Sequence, residues 1–276
     1  MINLSIQKFS LAICFLVCSI SDLQGQTPGA AKNLPMISAH RGASAIAPEN
    51  SLLAFSRAIE LGADFIEIDV RTTADGVQVI MHDGSLKRTT GLDAKVENTT
   101  LATIKELSVR DRFGKVYEDQ KVPTLEEVCV LVRNENKKRI QPVKLYVDCK
   151  AIDPGEVIQE LNQYSLLDSA VFYGDLKTLS EIKKFYEKAR LMPAYPCKEK
   201  AESMILKIGP FAVDISFNKL DEATVLYCHS KGIKVFSDLL GEDDTGFAYK
   251  KAVQLGVDLI QTDDVSGVLQ VYNELK

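Results

Sequence analysis

Residues 48–83 read PENSLLAFSRAIELGADFIEIDVRTTADGVQVIMHD, and three kinds of order follow one another in them. From Pro48 to Ala63 the apolar residues recur at the spacing of an amphipathic helix, with Pro48 just before its start and Gly62 at its close. From Phe65 the period drops to two: Ile66, Ile68 and Val70 alternate with Glu67 and Asp69, as in a strand. Asp75-Gly76 is a strong hairpin signal, so VQVIMHD is expected to turn back antiparallel beside that strand.

The alternation of strand and helix repeats outward from this segment. MISAH, KLYVDC, AVFYG, RLMPAY, AVDISF, IKVFSD and DLIQTD are further strand candidates, and helix-like stretches separate most of them. Eight strands alternating with helices over about 250 residues predict a (β/α)8 TIM barrel. A doubly wound open sheet is the second choice, but no Gly-x-Gly-x-x-Gly turn follows a strand. Residues 84–121 are too long for a plain connection and contain the helix-like TLATIKEL. They are expected to form a small insertion over one end of the barrel, after the His82-Asp83 segment.

The chain has 276 residues, 46% hydrophobic, with a formal net charge of −5. It carries no basic stripe, which excludes nucleic acid as the expected partner. The apolar run FSLAICFLVCSI and the polar SDLQGQTPG after it read as a signal peptide, residues 1–25, with residues 26–276 as the mature domain. An N-terminal helix of the fold or a membrane anchor is the alternative. On the signal-peptide reading the protein is exported, periplasmic or secreted, without stable membrane insertion after cleavage. Cys129, Cys149, Cys197 and Cys228 then stay behind with no C-x-x-C spacing, so neither a zinc site nor a required disulfide is expected.

The chain has three histidines, and two of them, His40 and His82, flank the acid pair Glu67 and Asp69. Residues two apart on a strand share a face, so these two acids point together. Paired with lysine or arginine they would be structural, but Asp148 and Lys150 repeat the spacing at the end of another predicted strand. Three carboxylates converging on a barrel mouth suit a hard divalent cation, Mg²⁺ or Ca²⁺. Arg41 and Lys150 supply nearby positive charge for a phosphorylated, anionic substrate. Imidazoles that titrate near neutrality suit proton transfer at a phosphoester. Glu49, Phe217 and Phe236 are further candidates for the pocket. Phe172 and Tyr173 also lie near strand ends, and core packing is expected for at least two of these four aromatics.

AHRG, PENS, EIDV, HDGSLKRTTG, VPTLEEV and VDCK occur in the order and spacing of the glycerophosphodiester phosphodiesterase family, which the chain resembles from about Pro35 to its C-terminus, densely up to Lys150. The resemblance implies a metal-dependent (β/α)8 barrel that hydrolyses glycerophosphodiesters to an alcohol and glycerol 3-phosphate. It implies His40 and His82 as the acid–base pair, Arg41 as a phosphate contact, and Glu67, Asp69 and Asp148 as metal ligands. The chain departs from the family at Asp148, where glutamate is usual, and at VFSDLLG, where Phe236 replaces a tryptophan. A lysophospholipid phosphodiesterase acting in the manner of phospholipase D, or a binding protein that holds phosphorylated ligands uncleaved, are the alternatives.

Overall fold

The computed structural model describes residues 34–276; the signal-peptide reading of residues 1–25 lies outside them. The strands among the described residues are β1 (Met36–Ala39), β2 (Phe65–Thr72), β3 (Gln78–Ile80), β4 (Ser108–Arg110), β5 (Val116–Lys121), β6 (Lys144–Ala151), β7 (Val171–Tyr173), β8 (Arg190–Met192), β9 (Ala212–Asp214), β10 (Lys234–Asp238) and β11 (Leu259–Thr262). Eight of them pair in parallel in the order β8-β7-β6-β2-β1-β11-β10-β9. The ring closes where Tyr195 N donates to Asp214 O at 2.7 Å and Asp214 N to Pro193 O at 3.0 Å. This is the (β/α)8 barrel that the alternation predicts.

Strand parity divides the core. Ile66, Ile68, Val70, Leu145 and Val147 point outward into the layer shared with the helices. Phe65, Tyr146, Val171, Met192, Ala212, Phe236 and Leu259 point inward and plug the barrel from its N-terminal end. The next inward positions, Glu67, Asp148, Asp214 and Asp238, then lie above the plug, toward the C-terminal mouth.

Helix punctuation decides which residues reach that mouth. The first helix runs Leu52–Leu61, capped by Ser51, whose hydroxyl accepts from Ala54 N, and closed by Gly62 at φ 100°. Pro48, Glu49 and Asn50 therefore precede the helix. Thr124 and Glu127 form a reciprocal capping box at the start of the helix Leu125–Asn136. The hairpin is present, with β3 antiparallel to β2. The insertion holds the expected helix, Leu101–Glu106, together with the antiparallel pair β4 and β5. No helix among the described residues is long and apolar enough to cross a membrane.

Candidate active site

Where β1 ends, the chain turns sharply through Arg41 (φ 55°) and Gly42 (φ 81°). A Cβ on Gly42 would sit 2.7 Å from the carbonyl carbon of Ala54, so this close approach requires glycine. The turn aims Arg41 N at Glu67 Oε2, 2.7 Å away. Its guanidinium reaches Glu49 through Nη1 at 3.0 Å and Asp69 through Nε at 3.4 Å.

Glu67 and Asp69 are each only 1% exposed. Asp148 on β6 is the register partner of Asp69 on β2. Glu67, Asp69 and Asp148 each offer one oxygen, and these oxygens all lie within 4.8 Å of one another. Positive charge offsets them only in part. Lys150 Nζ is 2.6 Å from Asp148 and 3.4 Å from Asp69, and Asn50 Nδ2 donates to Asp69 Oδ2 at 2.7 Å. Asp69 Oδ1 has no hydrogen bond. Burial pushes the Glu67 carboxyl well above its ordinary range, and the charges of Asp69 and Asp148 push it further, against the Arg41 N–H and guanidinium. Asp148 is raised by burial and by Asp69, with Lys150 opposing. Buried carboxylates short of counter-charge, offering oxygen ligands from two adjacent strands, fit a hard divalent cation.

Each mouth histidine is held by a carboxylate. His40 Nδ1 lies 2.9 Å from Asp263 Oδ1, which also accepts from Ser44 Oγ at 2.8 Å. His82 Nδ1 lies 2.7 Å from Asp83 Oδ1. These contacts leave Nε2 of each ring as the nitrogen free to exchange a proton. Burial raises Asp263, yet the His40 hydrogen bond and charge, with Ser44, bring it below its usual value. Hydrogen bonds from Arg88 hold Asp83 well below the carboxylate range. Arg88 also forks onto Glu49 at 2.7 and 2.8 Å. A continuous chain, Arg41–Glu49–Arg88–Asp83–His82, thus links the phosphate-contact candidate to one imidazole. From the strand that carries Glu67 and Asp69, Arg71 donates to the carbonyl of His82 at 2.7 Å and so fixes its backbone.

The structure joins Arg41, Glu49, Glu67, Asp69, His82, Asp148 and Lys150 in one network at the mouth, through Arg88 and Asp83, and sets His40, held by Asp263, next to Arg41. Two candidates are corrected. Phe236 is 1% exposed in the barrel plug, edge-on to Phe65 at 6.1 Å. It lies two residues before inward-facing Asp238, hence one layer deeper than the mouth. Phe217 is packed in the outer core, with Lys251 Nζ 5.2 Å from its ring centroid. Phe172 is also outer core, whereas half-buried Tyr173 feels Asp214, Asp238 and Asp148 after burial itself has raised its hydroxyl. His229 pairs with Asp258 at 2.9 Å, away from the mouth residues.

Sequence reasoning did not single out Asn50, Asp83, Arg88, Asp263 or Arg71 as site residues. Asn50, Asp83 and Arg88 sit inside quoted motifs, and Arg71 follows Asp69 at the same two-residue step, so parity could have found it. Asp263 comes from the far end of the chain and needed the β1–β11 pairing to be known. Across the ring from β2 and β6 stand β9 and β10, carrying Asp214 and Asp238. Burial, then the charge of Asp238, pushes Asp214 well above its usual range.

The sequence profile of the Glycerophosphoryl diester phosphodiesterase family matches residues 40–266. A glycerophosphodiester phosphodiesterase of Caldanaerobacter subterraneus is 29% identical over 234 residues, spanning 83% of this chain and 94% of that protein. The crystal structure of a glycerophosphodiester phosphodiesterase from Agrobacterium tumefaciens superposes with a TM-score of 0.75 at 22% identity, covering 86% of this chain and 100% of that one. An Oleispira antarctica phosphodiesterase, solved with the product sn-glycerol-3-phosphate, gives a TM-score of 0.74 at 22% identity, covering 87% and 97%.

Proposed function

The chain belongs to the glycerophosphoryl diester phosphodiesterase family and is a phosphoric diester hydrolase, and we propose that it cleaves glycerophosphodiesters to an alcohol and sn-glycerol 3-phosphate by paired-histidine catalysis. One observation carries this reading: two imidazoles, each anchored through Nδ1 by an aspartate, flank the buried triad Glu67, Asp69 and Asp148.

Arg41 and Lys150 receive the phosphodiester, the first as a fork and the second as a point charge. A divalent cation, Ca²⁺ or Mg²⁺, held by Glu67, Asp69 and Asp148 would withdraw charge from the phosphoryl oxygens as a Lewis acid. One histidine enters neutral and takes a proton on Nε2 from the attacking oxygen, water or the glycerol 2-hydroxyl, while its aspartate stabilises the imidazolium that forms. The other enters protonated and gives its Nε2 proton to the departing alkoxide. The shorter Asp148 keeps its carboxylate with the other two, so the departure from glutamate leaves the oxygen cluster complete. This reading keeps residues 1–25 as an export signal and the enzyme outside the cytoplasm.

Replacing His40 or His82 with alanine will lower turnover by at least about a hundredfold while the fold persists. An activated p-nitrophenyl ester of glycerol phosphate, whose leaving group needs no proton, will separate the two roles. It will restore most of the loss in the variant lacking the acid and little in the variant lacking the base. Near-normal turnover of ordinary substrates by both variants would refute the mechanism.

A further inference from the structure

Beyond the triad, at the C-terminal ends of β2 and β6, lies a cleft of about 170 Å³ that no step above uses. Arg71, Gly84, Ser85, Lys95 and Glu97 are among the residues that line it. Val96 N donates to Gly84 O at 3.0 Å and Ser85 bridges Lys95 antiparallel, so these two segments run side by side.

Arg71 is shared between this cleft and the catalytic mouth. Its Nε and Nη2 are spent on the carbonyls of Met81 and His82. Its Nη1 is the guanidinium nitrogen nearest Gly84, 3.6 Å from where a Cβ on that residue would stand. Lys95 adds a second cation at the solvent-exposed rim, 3.4 Å from the equally exposed carboxylate of Glu97. The cleft thus offers two positive groups and one negative group, beside a backbone that positions His82. The cleft has room for a group of a few non-hydrogen atoms.

We propose that this cleft is the subsite for the alcohol arm of the diester and that it selects a small hydroxy amino acid head group, of the serine class. The proposal rests on the phosphodiesterase reading of the triad and histidines. The serine side of a glycerophosphoserine has six non-hydrogen atoms beyond the ester oxygen. Its carboxylate meets Arg71 and Lys95, and its ammonium meets Glu97. Ethanolamine lacks the carboxylate and leaves both cations unmatched. Choline also lacks N–H donors for Glu97. With the alcohol arm here, the scissile P–O bond breaks on the side of His82: the attacking oxygen joins phosphorus and yields its proton to one histidine, while the other gives a proton to the leaving oxygen as serine departs.

The test is the ratio of kcat/KM for glycerophosphoserine over glycerophosphoethanolamine, measured in the wild type, Lys95→Glu and Gly84→Val. A ratio taken within one protein cancels any general damage from the substitution. The wild type is expected to favour the serine ester. Lys95→Glu will lower the ratio by at least about threefold, the scale of one solvent-exposed charge contact. Gly84→Val fills the cleft and will lower kcat/KM for the serine ester more than for the smaller ethanolamine ester. Equal wild-type rates, or a ratio unmoved by Lys95→Glu, would overturn the subsite while leaving the hydrolase reading intact. Absence of hydrolysis of every glycerophosphodiester would overturn the reaction, and the subsite with it.

Discussion

At the scale of single residues, the site works through matched pairs. On the proposed mechanism, Asp263 fixes the tautomer of the His40 imidazole and shares its charge once protonated. Asp263→Asn will keep the ring in place but remove that charge. We expect kcat to fall at least about tenfold, as in other carboxylate–histidine couples. The loss will fall on kcat with KM little changed, because the ring stays in place and only its partner's charge is removed. A loss confined to KM would make Asp263 merely structural. Much of this chemistry was legible in sequence, because alternation alone puts Glu67 beside Asp69 and Asp148 beside Lys150. Asp263 was not, since it lies 223 residues from His40 and meets it only through strand pairing. Phe236 was expected at the pocket because it takes the place of the family's tryptophan near a strand end. Its inward parity, two residues before Asp238, puts it in the barrel plug.

At the scale of elements, the tight turn after β1 does the positioning. It carries His40 and Arg41 toward the triad while the helix Leu52–Leu61 packs against its back. Gly42→Ala combines a positive φ with a Cβ contact of 2.7 Å to the helix backbone, so the turn must shift. We expect a loss of at least about 1 kcal/mol in stability by denaturant titration, with a larger proportional loss of activity. Unchanged stability and activity would show that the turn is not under this constraint. The strands were readable because each buries one face against helices and the other in the barrel, which forces the period of two. The hairpin was readable from Asp75-Gly76. The pairing of β4 with β5 was not, because RDRFGKVYEDQK is largely exposed and no buried face imposes a pattern on it.

At the scale of the whole molecule, the barrel gathers acids from several strands into one end, and their charge costs stability. Asp214 shows the sign clearly, since burial and Asp238 raise its carboxyl well above the unfolded value. A raised carboxyl binds a proton more tightly in the folded state. Its contribution is therefore fully present below the ordinary aspartate range and is lost as pH rises through the raised value. Asp214→Asn abolishes that loss, so its melting temperature relative to wild type will climb as pH rises above the ordinary aspartate range in chelator. A constant difference as pH rises would contradict the assignment. The central claim is that this acidic mouth is a metal-dependent glycerophosphodiesterase site. Its most direct test is release of glycerol 3-phosphate from glycerophosphocholine, glycerophosphoethanolamine and glycerophosphoinositol, each with chelator, Ca²⁺ or Mg²⁺. The account predicts release with at least one metal and loss of that release in chelator. Release that chelator leaves untouched, or no release from any ester with either metal, would contradict it.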